Sequence, residues 1–151
     1  VKAEVRDACP SDIQAILADL RDADAAEMAA LGTTAERALT EGMAISAWTG
    51  TGVVDGTPVC MFGVAPFNVL NGIGAPWMLS ANGLTRARKP FLKACPRILE
   101  MMLEDYPRLA NIVDTRNTQA IRWLRWMGFR IHDDTIPLNG VIFNSFSAGE
   151  W

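Results

Sequence analysis

The chain has 151 residues, half of them hydrophobic and 21% charged, with a formal net charge of -3. That is enough chain for one domain, 1–151, with a proper core, and too apolar for a disordered segment. The acidic balance argues against nucleic acid as a partner. No apolar run reaches about 18 residues, so no membrane span is expected. No basic, then apolar leader pattern opens the sequence, which points to the cytoplasm.

Cys9, Cys60 and Cys95 are widely spaced, and His132 is the only histidine. No zinc-ligand spacing exists, so no metal site is expected. Three buried, reduced thiols are the simplest reading. A nucleophilic cysteine would need a base within reach, and only His132 is available.

In chain order, Lys2 to Asp7 alternates like a half-buried strand. Pro10, Ser11 and Asp12 then open a helix, with Ser11 or Asp12 as cap and Ile13, Ile16, Leu17 and Leu20 as its apolar stripe. A second helical stretch runs from about Asp24 to Leu31 and stops at Gly32. A third follows Thr33-Thr34, with Ala35, Leu39 and Met43 on one face. Asp19, Asp22, Asp24, Glu27, Glu36 and Glu41 make this region acidic. A solvated helix face explains the charges. A surface that receives a cationic amine is the sharper reading, which the charges alone do not show.

From Trp48 the character changes to β-branched residues and glycines. Asp55-Gly56 between two apolar runs is a hairpin signal. Asn68 to Gly74 reads as a polar turn, and Ala75 to Ala81 as a central strand, apolar on both faces. Asn82 to Lys89 is a loop leading into a helix at Pro90-Phe91. Pro96 either kinks that helix or marks its true start. Tyr106-Pro107 ends it.

Leu109 to Asp114 is the next strand, and Asn117 caps a helix from Thr118 to Met127. Ala120, Leu124 and Met127 face inward, and Gly128 stops the helix. Phe129 to Ile136 returns as a strand. Asn139-Gly140 makes a second hairpin, and Val141 to Phe146 is the last strand. The tail from Ser147 to Trp151 is expected to be poorly anchored. The fold class is α/β, a central mixed sheet with helices on both faces, in the order β-α-α-β-β-β-α-β-α-β-β, with two or three helices after the first strand. Its middle strand-helix-strand crossover implies two parallel neighbours, joined right-handedly.

That order, with Asn117-x-x-Ala120-x-x-x-Leu124-x-x-x-Gly128-Phe129, resembles the GCN5-related N-acetyltransferase (GNAT) superfamily. More narrowly, the string from APWMLS to AIRWLRWMGF resembles acetyltransferase-like proteins of tailed phages, the T7-type protein 13 group. The resemblance implies an acyl-CoA-dependent transfer to an amine, with acetyl-CoA or CoA as the bound nucleotide. It implies that the strand ending at Leu79 and Ser80 splays from the next strand and offers main-chain groups to the pantetheine arm. Asn117 would contact the cofactor as well as cap its helix.

The pyrophosphate would sit at the start of the preceding helix, where main-chain amides and the helix dipole favour anions. The family's usual pattern there is Arg or Gln, two residues, Gly, one residue, Gly or Ala. The matching stretch, Thr85-Arg86-Ala87-Arg88-Lys89-Pro90, has no glycine, so Arg86, Arg88 and Lys89 would bind phosphate through side chains, beside Ala87. A solvated basic loop is the plainer alternative.

Leu124 occupies the place where many relatives carry a tyrosine as general acid. Tyr106, the sole tyrosine, ends another helix. His132 beside Asp133 and Asp134 is either a base or a polar strand end. Trp123 and Trp126, near Arg122 and Arg125, either stack on bases or pack as core and partner surface. Two function classes follow: an N-acyltransferase acting on an amine, and a non-catalytic GNAT-fold binding protein serving a phage in its bacterial host. A homodimer or a phage protein partner is a further expectation beside the small-molecule acyl-CoA and amine.

Overall fold

The computed structural model describes residues 1–151. Its strands are β1 (Ala3–Asp7), β2 (Thr49–Val54), β3 (Thr57–Asn68), β4 (Ile73–Ser80), β5 (Arg108–Asp114), β6 (Arg130–Ile131), β7 (Ile136–Leu138) and β8 (Val141–Gly149). Its helices are α1 (Asp12–Leu17), α2 (Asp22–Ala30), α3 (Ala35–Ile45), α4 (Arg88–Asp105) and α5 (Thr118–Met127). The sheet order is β1-β2-β3-β4-β5-β8-β6, with β7 paired to β8. Every pairing is antiparallel except β4 with β5. The α4 crossover is what makes that one pair parallel.

Helices cover both faces. On one, Ile13 and Ile16 of α1 and Leu39 of α3 pack on Met61 and Leu79. On the other, Phe91, Cys95 and Met102 of α4 and Trp123 of α5 pack on Phe62, Val64, Val113 and Phe146. Each such buried large side chain contributes roughly 2 kcal/mol. Of the cysteines, Cys60 and Cys95 are buried as expected, and burial pushes the Cys60 thiol up to about 12. Cys9 is exposed, because it lies in the short turn before α1.

Several expectations change. Asp12 is not a helix cap. It is 2% exposed and accepts bonds from both ends of the Arg6 guanidinium at 2.9 Å, from the Cys9 amide at 3.0 Å and from Thr51 Oγ1 at 2.8 Å. Those donors hold its carboxyl far below the usual range. The Asn68–Gly74 turn is shorter than expected, because β3 runs on to Asn68 and β4 already begins at Ile73. The Asn82–Lys89 loop is mostly a 3-10 turn, Asn82–Ala87, that leads straight into α4.

Helix α4 runs through Pro96. A proline there cannot donate to Leu92 O, and the Trp126 indole donates to that carbonyl instead, at 3.0 Å. The strand expected over Phe129 to Ile136 is broken. Asp134 takes the Ser145 amide at 2.9 Å and the Ser145 hydroxyl at 2.7 Å, and β6 ends at Ile131. The C-terminal tail is held. Residues 147–149 extend β8, the Glu150 amide donates to Pro107 O at 3.0 Å, and Trp151 Nε1 donates to Ala148 O at 2.9 Å.

Candidate active site

The site begins where β4 and β5 part. They pair only at Ile73 with Arg108 and Gly74 with Leu109. A parallel ladder would next use the amide of residue 76, and that residue is proline, which has none. Asn111 fills the seam with its side chain. Its Nδ2 donates to Pro76 O at 2.8 Å, and its Oδ1 accepts the Ile112 amide at 2.8 Å. The two strands diverge beyond this carboxamide, and a cavity of about 380 Å³ occupies the opening.

The antiparallel alternation of β3 and β4 decides which main-chain groups face that opening. The Ala81 amide donates to Val59 O at 2.7 Å, so the groups of residues 81 and 79 point at β3, and those of residues 80 and 78 point away from it. Ser80 is already engaged. Its amide donates to Asp24 Oδ2 at 2.8 Å, and its carbonyl accepts the Arg21 amide at 3.1 Å. Met78 is left with an N–H and a C=O facing the cavity. The Ser80 hydroxyl is fully buried and has no partner.

Helix α2 closes the mouth of the opening. Arg21, Asp24 and Glu27 recur every third residue and share one face. Arg21 reaches Asp24 at 3.4 Å, Asn117 Oδ1 at 3.4 Å and Gln119 Oε1 at 3.3 Å. Asn117 Nδ2 donates to Glu27 Oε2 at 3.3 Å. This network ties α2 to the start of α5. Burial pushes the Glu27 carboxyl up to about 7, partly offset by the Asn117 bond and raised further by the charges of Asp24 and Asp114. Asp24 is also pushed up by burial, against the Ser80 amide and Arg21.

Asn117 is buried and caps α5 by accepting the Ala120 amide at 3.4 Å. At the other end Gly128, at φ +115°, closes a Schellman motif with the Phe129 amide on Leu124 O at 3.0 Å. These contacts fix the α5 face that carries Ala120, Trp123 and Leu124 to the cavity wall. Trp123 is buried with its indole on Cys95 Sγ, and Trp126 lies outside, 61% exposed.

The structure therefore brings Leu79, Ser80 and Asn117 to one cavity. It does not bring Arg86, Ala87, Arg88 and Lys89 to its lining. Arg86 is turned to Asp55 of the β2–β3 hairpin at 2.9 Å. Ala87 is buried as the residue before α4. Arg88 and Lys89 are exposed at the first turn of α4, outside the opening. His132 is elsewhere, bonded to Ser147 Oγ at 2.7 Å. Tyr106 packs against Gly74 at the paired end of the seam. Met78, Asn111, Arg21 and Glu27 are cavity residues not marked as such by any motif in the sequence. The i, i+3, i+6 spacing of Arg21, Asp24 and Glu27 is the one signal that sets them on a common face.

Neither protein-family models nor characterised protein sequences give a match to this chain. Solved structures do. A GCN5-related N-acetyltransferase from Kribbella flavida is 22% identical, with 98% of each chain covered and a TM-score of 0.69. A GNAT-family acetyltransferase from Bacillus anthracis is 11% identical over 99% of this chain and 95% of its own, at TM-score 0.71. An aminoglycoside acetyltransferase in complex with coenzyme A is 13% identical over 98% of this chain and 95% of its own, at TM-score 0.68. The chain has the GNAT fold from end to end. No helix is long and apolar enough to cross a membrane.

Proposed function

We propose that the protein is an acyl-CoA-dependent N-acyltransferase acting on a primary amine. The observation that carries this reading is the opening between β4 and β5, with free Met78 main-chain groups on one side and Glu27 at its mouth. The similarity to a fold whose members include a coenzyme A complex supports it.

Acyl-CoA would supply an activated acyl thioester. Its pantetheine amides are extended donors and acceptors, and the Met78 N–H and C=O match them as a strand edge matches a strand. The orphaned, buried Ser80 hydroxyl offers one further bond, beside Leu79 and the Asn117 side chain. Arg88 and Lys89 at the start of α4, beside the Ala87 backbone, would take the phosphates outside the opening, joined by Arg86 only on release from Asp55.

Glu27 is the group that handles the proton. An acceptor arrives as an ammonium and must lose a proton before its nitrogen attacks. A carboxyl with its midpoint near 7 is part ionised at neutral pH and takes that proton directly or through one water. Leu124 has no proton to give, so the chain's own contribution is base and position, not acid.

The test is a thiol-release assay across pH. Wild type shows a kcat/KM limb rising with a midpoint near 7. Glu27→Gln loses about 10²–10³-fold in kcat, and the limb with it. A variant as active as wild type, with the limb intact, would remove Glu27 from the chemistry.

A second reading is favoured by two observations. Asp24 and Arg21 already satisfy both main-chain groups of Ser80, and no glycine eases the approach to the α4 start. A non-catalytic GNAT-fold binding protein, such as a phage accessory protein, fits those features. It predicts no acyl transfer to any amine and no heat on titration with CoA.

A further inference from the structure

The cavity has a wall that the acyl-CoA arm leaves unused. Side chains alternate along β4, and Trp77 lies with Leu79 on the face packed by α1 and α3. Met28 of α2 packs against the same cluster. With Leu31 and Ile112, these residues form an apolar side of the cavity.

Trp77 is a fixed platform. Its Nε1 donates to Ser46 Oγ at 2.8 Å. Its ring lies so close to Gly42 of α3 and Gly63 of β3 that a Cβ at either would come within 2.8 or 2.9 Å. The indole cannot turn without moving a helix or a strand.

The polar points on this side are few. Asp24 is committed to Arg21 and to the Ser80 amide. Glu27 lines the cavity with its carboxylate bonded by the Asn117 carboxamide and the Asp114 main chain. Thr33 Oγ1 is buried and has no partner. Glu41 also lines the cavity but is solvent-exposed.

We propose that the acceptor is a monoamine on an apolar, aromatic body, its ammonium at Glu27 and its body between Met28, Leu31 and Trp77. The inference rests on the N-acyltransferase reading for turnover, but not for binding. A polycation or a sugar amine would set charged or hydroxyl groups against thioether, aliphatic and indole surface, where they lose water, with only the water-screened Glu41 carboxylate to meet a second charge. An aromatic ring gains the indole face, and an ammonium near it gains cation–π attraction as well. The lone Thr33 hydroxyl allows one polar substituent, such as a phenol.

Phenethylamine, tyramine and spermidine separate the alternatives. Each is assayed with acetyl-CoA for thiol release, and each is titrated calorimetrically without it. The expected result is a kcat/KM for phenethylamine and tyramine at least tenfold above that for spermidine. Leu31 is 40% exposed, so Leu31→Asp is compatible with folding. It should raise KM for phenethylamine at least tenfold, with kcat within about twofold. Spermidine acetylated as well as or better than the aromatic amines overturns the proposal and leaves the N-acyltransferase standing. Phenethylamine bound in preference to spermidine, with no amine acetylated, keeps the apolar amine site and removes the enzyme. Phenethylamine neither bound nor acetylated overturns the proposal outright.

Discussion

The two ends of the β4–β5 seam are built by different means. At Ile73 and Gly74 the strands share main-chain hydrogen bonds, and Tyr106 and Pro107 pack against them. Beyond Pro76 they share none, and side chains from three elements stand in: Asn111 of β5, Arg21 to Glu27 around α2, and Asn117 before α5. A main-chain ladder is rigid and complete. Side-chain bridges leave a cavity, hold charge in it, and can be exchanged for a ligand's own donors and acceptors.

Three variants sharpen that difference. The largest stability effect is expected at the closed end. Gly149 sits at φ +93° directly over Pro107 O, so a Cβ there meets both backbone strain and a main-chain clash. Gly149→Ala should cost about 3 kcal/mol, read as a lower urea midpoint with unchanged slope. An unchanged midpoint would mean that this end is not rigid.

Next is the carboxamide in the seam. Asn111→Leu removes the partner of both Pro76 O and the Ile112 amide and should cost about 2 kcal/mol. If instead the variant is as stable as wild type, the strands close or water replaces the side chain, and Asn111 does not set the opening.

The smallest effect is one of pH. The Glu27 carboxyl is raised from 4.5 to about 7 in the folded chain. A raised carboxyl leaves its stabilising contribution fully present below the unfolded value and loses it as pH rises through the folded one. Between pH 5 and 8 wild type should therefore lose about 1–2 kcal/mol that Glu27→Gln keeps. Asp24 is shifted in the same direction and its charge adds to the Glu27 shift, so the difference between the two chains reads Glu27 together with that coupling. Parallel pH–stability curves would place the Glu27 carboxyl in ordinary solvent.

The sequence is most legible where the signal is local. Asn117 as cap, Gly128 as stop, and the Asp55-Gly56 and Asn139-Gly140 turns each follow from the conformation that one or two residues demand. Element order, and with it the GNAT fold, follows from these. The site is less legible because its bonds span the chain: Asp24 with Ser80, Glu27 with Asn117, Arg21 with Gln119. An acidic helix face carries no mark of which carboxylate is buried. Leu79 and Ser80 both line the cavity at the end of β4. Which of two adjacent residues turns its amide outward depends on the register with β3, and Met78 follows only from the Ala81 bond to Val59. Pro76 and Asn111, which begin the opening, look in sequence like ordinary strand residues.

The central claim is that the open end of this seam is a place for acyl-CoA. Calorimetric titration with CoA and with acetyl-CoA tests it most directly, with Arg88→Ala/Lys89→Ala in parallel. One-to-one binding by wild type, weakened in the double variant, is the predicted result. No heat at millimolar CoA would contradict the account.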